Sequence, residues 1–380
     1  MTKYLIGIDC GCTSIKAVIF DQTGNVITTA SKSSKGFPRR GPEFEEFDVE
    51  DQWNSAASCI KSVIEKAGID SGDIAGIGIT SFGNGCTVLD KDGKAPIPGA
   101  FSTDYRADGV VARYKKEGKL ARIDEITKGS LYSGQPGPLL RWIKDNEPEA
   151  YGKIAYVLLF KDVLAFYLTG VASGDLNLYG GSALLDLETM DYSAELMELY
   201  GVPEMLDKMP KLSEDASVAI GYVTAEAAEK TGLPVGAAVS AGMWDIMAAH
   251  VGAGALEEGV FTSVAGTWSI NETALDHMVV APGVYNAPYL YKGKYLISAN
   301  SGASASNYEW FADALGGTAR IEAEKRGISR FEALNELIGS VRPGSTPVMY
   351  HPFVGQPSVH TRAKANFFNL STATTYAEIA

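Results

Sequence analysis

The sequence contains little cysteine, and its few cysteines are not arranged as a scaffold. Only four occur in 380 residues, far fewer than a disulfide-stapled secreted domain carries. Cys10 and Cys12 lie close together, but no second pair follows at the spacing of a zinc site. The cysteine content therefore argues against a disulfide framework and a zinc centre, and it favours a reduced, cytoplasmic protein.

Long apolar runs and net positive charge are also absent. The longest uninterrupted apolar run, Ile154–Phe160, is far shorter than the ~20 residues of a membrane-spanning helix. The apolar stretch near the N-terminus is too short for a signal peptide. A net charge of −13 repels anionic lipid surfaces and nucleic-acid backbones. We therefore expect neither a membrane nor a nucleic acid as a partner.

The opening of the chain predicts a meander of three strands. Tyr4–Ile8 and Ile15–Phe20 are rich in Ile and Val, and the link between them is long enough for a hairpin but too short for a crossover helix. A turn at Asp21–Asn25 and a third strand, Val26–Ala30, follow. Because P-loops and dinucleotide-binding loops lead from a strand into a helix, the first hairpin excludes both.

The turn of this hairpin, "DCGCTS", carries groups suited to a phosphate. A glycine-rich turn directs successive backbone N–H groups at an anion, and Thr13 adds a hydroxyl and Lys16 a charge. Asp9 would then serve a Mg²⁺ ion, mostly through water, because Mg²⁺ keeps much of its hydration shell. The alternative is a structural type I′ hairpin in which Asp9 caps the turn.

The rest of the chain alternates predicted strands and helices. Asp48 and Gly68 are suitable N-terminal and C-terminal caps for a helix between them. Ile74–Gly83 has the pattern of a buried strand, and a hairpin is expected around Asp92-Gly93. Residues 107–235 are mostly helical by pattern, with one helix over 137–154. Near the C-terminus, Ser371 is the expected cap of a last short helix.

Two further groups of polar residues follow predicted strands. Asp245 comes after a strand and a glycine turn, where a carboxylate can accept a proton from a substrate hydroxyl; the alternative is a helix N-cap. Asn84, Asp104 and Arg106 lie just past apolar strands, where α/β folds collect ligand contacts. The alternatives are turn chemistry for Asn84 and a surface ion pair between Asp104 and Arg106.

The segment "GVFTSVAGTWSI" repeats the layout of the opening, with an apolar strand, a turn and a second strand. We interpret Gly266-Thr267, followed by Trp268, as a second copy of the turn at Gly11–Thr13. Two such copies predict an internal duplication.

Taken in order, these segments resemble the FGGY carbohydrate kinases of the actin-like ATPase superfamily. The resemblance implies an α/β fold of two actin-like (ribonuclease H-like) domains with a cleft between them, over residues 1–246 and 247–380. It rests on an ordered series along the chain: "GIDCGCTSIKAVIFD", "GITSFGNG", "PGAFSTDYRA", the helical stretch ending in "LTG", "GLPVGAAVSAGMWDIMAAHVGAG", "GVFTSVAGTWSI", "NSGASASNYEWF" and "PVMYHPFVG".

The resemblance also implies a reaction, namely phosphorylation of a hydroxyl of a small sugar or polyol with ATP and Mg²⁺ as cofactors. Asp245 falls on the family's catalytic base, and Asp9 falls on the aspartate near Mg²⁺. The residues that fall on the phosphate-contacting turns are Gly11, Cys12, Thr13, Lys16, Gly266 and Thr267. Those that fall in or beside the sugar pocket are Asn84, Asp104, Arg106, Asp245 and Trp268.

Departures from the family pattern narrow the expected substrate. Glycerol kinases carry an Arg-Glu pair where this chain has Gly83-Asn84, and D-xylulose kinases commonly carry His at the position of Asn84. Cys12 stands where a Ser or Thr is usual, which removes a hydroxyl but no backbone donor. The "GNG" and "STDYRA" segments are most similar to L-xylulose kinases and related pentulose or polyol kinases.

Family members continue beyond the position of Ala380 with a glycine-rich stretch that holds adenosine. We therefore expect an incomplete second domain that holds a sugar better than ATP. One alternative function is a non-catalytic sugar-binding fragment or relic of such a kinase, and another is a chaperone-like or filament-forming ATPase of the same superfamily. A homodimer is compatible with the resemblance.

Overall fold

A computed structural model describes residues 3–34, 38–265, 269–281, 283–301, 304–354 and 363–380. Its strands are β1 Tyr4–Cys10, β2 Ser14–Asp21, β3 Val26–Ser33, β4 Glu46–Phe47, β5 Ile74–Ser81, β6 Thr87–Leu89, β7 Gly99–Ala100, β8 Tyr156–Leu158, β9 Ser173–Asp175, β10 Leu185–Asp186, β11 Asp191–Tyr192, β12 Lys211–Ser213, β13 Ala219–Tyr222, β14 Ala238–Ser240, β15 Met243–Trp244, β16 Phe261–Ala265, β17 Ser269–Leu275, β18 Val284–Pro288, β19 Tyr295–Ser301, β20 Met349–His351 and β21 Asn366–Phe368.

The α-helices of the structure are α1 Val49–Ala67, α2 Asp108–Lys116, α3 Leu120–Thr127, α4 Pro136–Asn146, α5 Pro148–Tyr151, α6 Phe160–Thr169, α7 Leu176–Gly181, α8 Ala194–Tyr200, α9 Ala225–Thr231, α10 Asp245–Gly252, α11 Ala305–Ala314, α12 Gly317–Arg326, α13 Arg330–Gly339 and α14 Tyr376–Ile379. Two 3₁₀ turns lie at Ser71–Asp73 and Pro203–Lys208. Among the residues described, every helix is too short or too polar to cross a lipid bilayer.

Two compact units divide the chain. The first comprises Met1–Val260, Ala274–Ala281 and Tyr285–Ile297, and the second comprises Phe261–Thr273, Pro282–Val284 and Ser298–Ala380. These bounds differ from the expected domains 1–246 and 247–380, because the whole of α10 lies in the first unit. The boundary after residue 246 stays a prediction.

The main sheet of the first unit has the order β13-β14-β5-β1-β2-β3, and β15 also pairs with β5. Strands β1, β2 and β3 pair antiparallel, which confirms the predicted opening meander. Strand β5 pairs parallel with β1, β14 and β15. The carboxyl ends of β1, β5 and β15 therefore meet at one edge of the sheet.

Side-chain alternation along β1 directs Asp9 away from the core. Ile6, Ile8 and Cys10 are buried, whereas the residues between them are not fully buried. Because successive side chains of a strand point to opposite faces, Asp9 lies on the face that the core does not cover. The other face packs against α1, whose predicted caps are confirmed: Asp48 accepts from the Asp51 N–H at 2.9 Å, and Gly68 has φ +62°.

One local prediction is confirmed in part and another is wrong. The predicted hairpin closes, because the turn at Gly93 forms with φ +74° and Cys86 pairs antiparallel with Ala100 beyond it. Strand β6, within the hairpin, pairs with β8 instead. The helix expected over 137–154 breaks at Glu147, where the next residue, Pro148, starts α5. A proline cannot donate the hydrogen bond that would continue the helix.

In the second unit, β16 and β17 form the predicted antiparallel pair, from Phe261↔Thr273 to Ala265↔Ser269. The turn between them, at Gly266, Thr267 and Trp268, lies outside the described residues. The last helix has a different cap from the expected Ser371. Thr375 accepts from the Glu378 N–H at 3.3 Å, and the Glu378 carboxylate accepts from the Thr375 N–H at 2.7 Å. This capping box satisfies both backbone donors.

Candidate active site

Asp9 lies at the end of β1, between β2 and β5. In the pairing, Lys16 of β2 is its partner on one side and Thr80 of β5 on the other. The Asp9 Oδ2 atom is 3.7 Å from Lys16 Nζ. Burial raises the pKa of Asp9, and the charge of Lys16 offsets part of that rise. The turn itself is closed by the backbone, since the Gly11 N–H donates to the Ser14 carbonyl at 3.0 Å.

Asp245 is the first residue of α10, and Trp244 occupies the N-cap position. The alternative interpretation of Asp245 as a helix N-cap is therefore wrong. Its Oδ1 atom accepts from the Ile246 N–H at 2.7 Å. Burial raises the pKa of Asp245 to about 7; the Ile246 N–H opposes that rise and the charge of Asp9 adds to it. A large share of the Asp245 side chains is therefore protonated at neutral pH.

Asp9, Cys12 and Asp245 lie close enough for their charges to interact. Across the sheet, Asp9, Thr80 and Met243 stand in register on β1, β5 and β15, and Asp245 follows two residues later. The charge of Asp9 raises the pKa of Asp245. For the Cys12 thiol, burial and then the charge of Asp245 raise the pKa to about 12, so the thiol stays protonated. The predicted phosphate turn and the predicted base are thus neighbours.

Thr80 is a polar residue of this site that the sequence patterns did not indicate. Its Oγ1 atom is buried and has no hydrogen-bond partner. Within β5 it occupies a strand position that β-branched residues commonly fill, so only its register beside Asp9 distinguishes it.

Asn84 sits in the turn that follows β5. Its φ of +60° is left-handed, a conformation that Asn adopts more readily than most residues. The backbone N–H donates to the Ser182 hydroxyl at 3.1 Å, so turn chemistry explains part of this residue. Its Oδ1 atom, however, is buried without a hydrogen-bond partner. Because an unpaired buried acceptor costs free energy, a ligand hydroxyl that donates to it would be stabilised.

The indole of Trp244 is packed between two glycines, Gly83 and Gly181. A Cβ atom at either glycine would overlap the indole ring. The backbone N–H of Trp244 donates to the Asn177 Oδ1 atom at 3.2 Å, and the Asn177 side-chain amide donates to the Pro288 carbonyl at 2.7 Å. This packing fixes the residue immediately before Asp245 against the turn that carries Asn84, and it explains why position 83 is a glycine.

Tyr132 is a second residue that sequence reasoning missed. Burial raises the pKa of its hydroxyl, and Tyr285 and the Cys12 thiol contribute in the same direction, so the phenol lies near Cys12. The loop that carries it joins the Asn84 turn, because the Gly85 N–H donates to the Gly134 carbonyl at 2.8 Å. The Tyr132 loop and the Asn84 turn are therefore joined by a backbone hydrogen bond.

Asp104 and Arg106 form an ion pair, as the alternative interpretation predicted, but the pair is buried and not on the surface. Arg106 Nε and Nη2 donate to the two carboxylate oxygens of Asp104 at 2.8 and 2.6 Å. Arg106 also lies 3.0 Å from Glu46, and its guanidinium stacks 4.4 Å from the centre of the Phe44 ring. The charges of the pair are thus matched by neighbouring side chains of the protein itself. The sugar-pocket role of both residues stays a prediction.

The raised pKa of Asp245 predicts a pH-dependent effect of Asp245→Asn on stability. The folded-state pKa is about 7, whereas an unfolded chain has ~3.9. Folding is therefore favoured by protonation, and this contribution, present below pH ~4, is lost as pH rises to ~7. Asn cannot ionise, so the variant keeps the stability that the wild type loses. That loss is at most about 4 kcal/mol, and solvent screening reduces it to about 1–2 kcal/mol.

Urea unfolding at pH 5 and pH 8 checks this prediction. We expect the stability difference between Asp245→Asn and the wild type to grow in favour of the variant as the pH rises. An equal difference at both pH values would show that Asp245 has an ordinary pKa in the folded chain.

Comparisons with known proteins identify the family of the chain and agree with its fold. A family model described as the FGGY family of carbohydrate kinases, N-terminal domain, matches residues 4–252. A probable L-xylulose kinase from Pasteurella multocida is 31% identical over 99% of this chain and 76% of that protein. The L-xylulose/3-keto-L-gulonate kinase of Escherichia coli is 28% identical over 96% of this chain and 74% of that protein.

A solved structure confirms the predicted fold class. The xylulose kinase of Rhodospirillum rubrum superposes with a TM-score of 0.88 at 25% identity, over 99% of this chain and 75% of that one. The family model alone covers more than half of the sequence, and it includes every described site residue named above up to α10. The chain therefore belongs to the FGGY family of carbohydrate kinases, and it is a sugar kinase.

Proposed function

We propose that the protein phosphorylates a hydroxyl of a pentulose, L-xylulose or a closely related polyol, with MgATP as the phosphate donor. The observation that carries the proposal is that Asp9, Asp245 and Asn84, whose amide oxygen is unpartnered, lie at or just after the ends of neighbouring strands at one edge of the sheet. The curated relatives named as L-xylulose kinases support this substrate class.

In this reaction Asp245 acts as the base. The sugar hydroxyl oxygen bonds to the γ-phosphorus, the bond from that phosphorus to the ADP oxygen breaks, and the hydroxyl proton moves to the Asp245 carboxylate. Because the transition state is loose, the proton leaves late and a moderate base suffices. A pKa of about 7 leaves part of the carboxylate ionised at neutral pH. The Ile246 N–H holds Oδ1, so Oδ2 accepts the proton.

The nucleotide end of the site consists of the first hairpin turn. The Gly11 N–H closes the turn on the Ser14 carbonyl, so Cys12 and Thr13 are left to supply backbone donors, and the Lys16 ammonium lies 3.7 Å from the Asp9 carboxylate. In the second unit, we propose the same phosphate-contacting role for Gly266 and Thr267.

We also propose a cytoplasmic location. The free cysteines, of which Cys10, Cys59 and Cys86 are buried, are consistent with it.

Asp9 is the carboxylate that we propose to serve a divalent cation. Burial raises the pKa of Asp9, so a bound cation would relieve that penalty. Among the described residues no group of three metal-ligating side chains is present, which suits Mg²⁺ because it takes few protein ligands and keeps water. Bound there, Mg²⁺ would neutralise phosphate charge.

A substrate panel tests the proposed function directly. Thermal stabilisation is measured with L-xylulose, D-xylulose, glycerol and gluconate, and ATP turnover is then followed with each ligand that stabilises the chain. We expect L-xylulose to give both a shift and turnover. Failure of every member to do either would overturn the proposal, and sugar binding without nucleotide binding would favour the non-catalytic alternative.

Asn84→Gly should weaken sugar binding with little loss of stability. Glycine accepts the left-handed φ of +60° and keeps the N–H bond to Ser182, so only the amide side chain is lost. Loss of one hydrogen bond to a ligand corresponds to about 3–10-fold in affinity. Calorimetric titration with L-xylulose measures this loss, and an unchanged Kd would exclude Asn84 from the sugar pocket.

Asp9→Asn should weaken Mg²⁺ binding by about 10-fold or more, as loss of a ligand or a water-holding partner does. Removing the Asp9 charge should also lower the pKa of Asp245, because that charge raises it. Two measurements are needed: calorimetry of Mg²⁺ in the presence of ADP, and the pH at which the Asp245 carboxyl titrates. An unaltered titration and unaltered Mg²⁺ affinity would contradict the proposed metal site.

A further inference from the structure

We propose that Lys161 is a positioning residue for phosphoryl transfer, because its buried ammonium holds the segment that carries Asp245 against the end of β5. The inference rests on the proposed function of Asp245 as the base. It concerns a group of three charged side chains, Lys161, Asp162 and Asp175, which we call the Lys161 cluster and which has no part in the proton transfer itself.

Lys161 is fully buried at the start of α6. Its ammonium donates to the Asp162 carboxylate, lies 3.0 Å from Asp175 Oδ2 and donates to the Ala241 carbonyl at 2.6 Å. Burying an ammonium is costly unless it is paired and hydrogen-bonded. Two of the three partners are carboxylates, which more than compensate its charge, and the third is the backbone carbonyl of Ala241, just before β15.

The same lysine is fixed to β5 through its backbone. The Lys161 N–H donates to the Ser81 hydroxyl at 3.1 Å, and Ser81 is the register partner of Trp244. Between Ala241 and Trp244, Gly242 has φ +68°, and a Cβ atom on Gly242 would overlap the Ile79 carbonyl oxygen. The chain from Ala241 to Trp244 is therefore pressed against β5 on one side and held by Lys161 on the other.

Helix α7 extends this support to the residue next to Asp245. Asp175 is its N-cap and accepts from the Leu178 N–H at 3.0 Å. Asn177, in the first turn of the same helix, accepts from the Trp244 N–H at 3.2 Å. The four-residue segment that leads into Asp245 is therefore held at both ends. Lys161 of the cluster binds the Ala241 carbonyl at one end, and Asn177, in the helix that Asp175 caps, binds the Trp244 backbone at the other.

Positioning of this kind affects rate more than affinity. A displacement of about 1 Å at a reacting group can lower the rate ~10²-fold without removing a substrate contact. The sugar contact at Asn84 belongs to a different turn, which retains its own bond to Ser182. Loss of the Lys161 cluster should therefore lower kcat and leave sugar affinity nearly unchanged.

The experiment has to remove the charges together. Lys161→Met alone leaves two buried carboxylates without their cation, and such a variant can fail to fold. The triple variant Lys161→Met, Asp162→Asn, Asp175→Asn keeps the side-chain volumes and the capping oxygen, and replacement of a whole buried ionic group is often tolerated. Ser81→Ala is a smaller change that removes the acceptor of the Lys161 N–H, together with the bond that the Ser81 hydroxyl donates to the Phe82 carbonyl.

We expect the folded triple variant to lose about 10–100-fold in kcat, with the Kd for L-xylulose within about threefold of wild type. The acid limb of its pH–rate profile should move to lower pH, because a loosened Asp245 becomes more solvated. Leu164→Ala, a buried residue on the same helix, is the control: it lowers Tm but should leave kcat and the pH profile unchanged.

Wild-type kcat in the folded triple variant would overturn the inference. If the triple variant does not fold, Ser81→Ala is the deciding variant. We expect its kcat to fall about 3–10-fold. An unchanged kcat would contradict the inference. Asp245→Asn is measured in parallel. An inactive Asp245→Asn beside a fully active cluster variant rejects only the role of Lys161, whereas an active Asp245→Asn rejects both the base and its positioning.

Discussion

Asp245→Asn lowers kcat by about 10²–10⁴-fold, the usual effect of losing a general base, while the affinity for the sugar changes only a few fold. The amide keeps the size of the carboxyl and an oxygen that can accept the Ile246 N–H at the start of α10. It cannot accept the hydroxyl proton. The loss should therefore appear in the chemical step, as measured by single-turnover phosphorylation of L-xylulose.

Two features of this variant separate a chemical effect from a structural one. First, Asp245→Asn should be more stable than the wild type at pH 8, so misfolding does not explain lost turnover. Second, the wild-type rate should fall as the pH drops below about 7, because only the ionised carboxylate accepts a proton. Near-normal turnover of a variant that binds the sugar normally would reject Asp245 as the base.

The sequence predicted the parts of this site that depend on local pattern. Strand alternation and a short link were enough to identify the first hairpin, and the order of apolar and polar residues was enough to predict that Asn84 and Asp245 follow strands. Because parallel strands end at one edge, the two predicted residues lie on neighbouring strand ends in the structure. The second turn, at Gly266-Thr267, was predicted by the same reasoning but lies outside the described residues.

What the sequence could not predict depends on contacts between distant segments. The glycine at position 83 has its reason in the Trp244 indole, and the hydroxyl of Thr80 matters because of its register beside Asp9. Lys161 looked like an ordinary residue in a helical pattern, yet its ammonium is bonded to a carbonyl eighty residues away. Periodicity reports which face a residue occupies; it does not report which segment covers that face.

Arg106→Met should lower the free energy of unfolding by about 3–5 kcal/mol, the typical cost of removing one partner from a buried ion pair. The Asp104 carboxylate would keep only backbone donors, including the Glu45 N–H at 2.8 Å. Glu46 would keep Arg40, whose Nη2 donates to it at 2.6 Å. The stacking of the guanidinium on Phe44 would also be lost. Urea unfolding measures the change, and a loss under about 1 kcal/mol would contradict a structural role.

The double variant Asp104→Asn, Arg106→Met decides between the scaffold and the sugar pocket for this pair. Removing the charge from both partners leaves no uncompensated buried ion, so the double variant should recover a large part of the stability that Arg106→Met loses. The two residues join the loop at 43–46 to the loop at 101–106, because the Phe101 N–H also donates to the Glu45 carbonyl at 2.9 Å. If Asp104 and Arg106 serve only to join these loops, the double variant keeps a sugar KM within about threefold of wild type. A rise in KM of about tenfold in a stable double variant is expected only if the pair contacts the sugar.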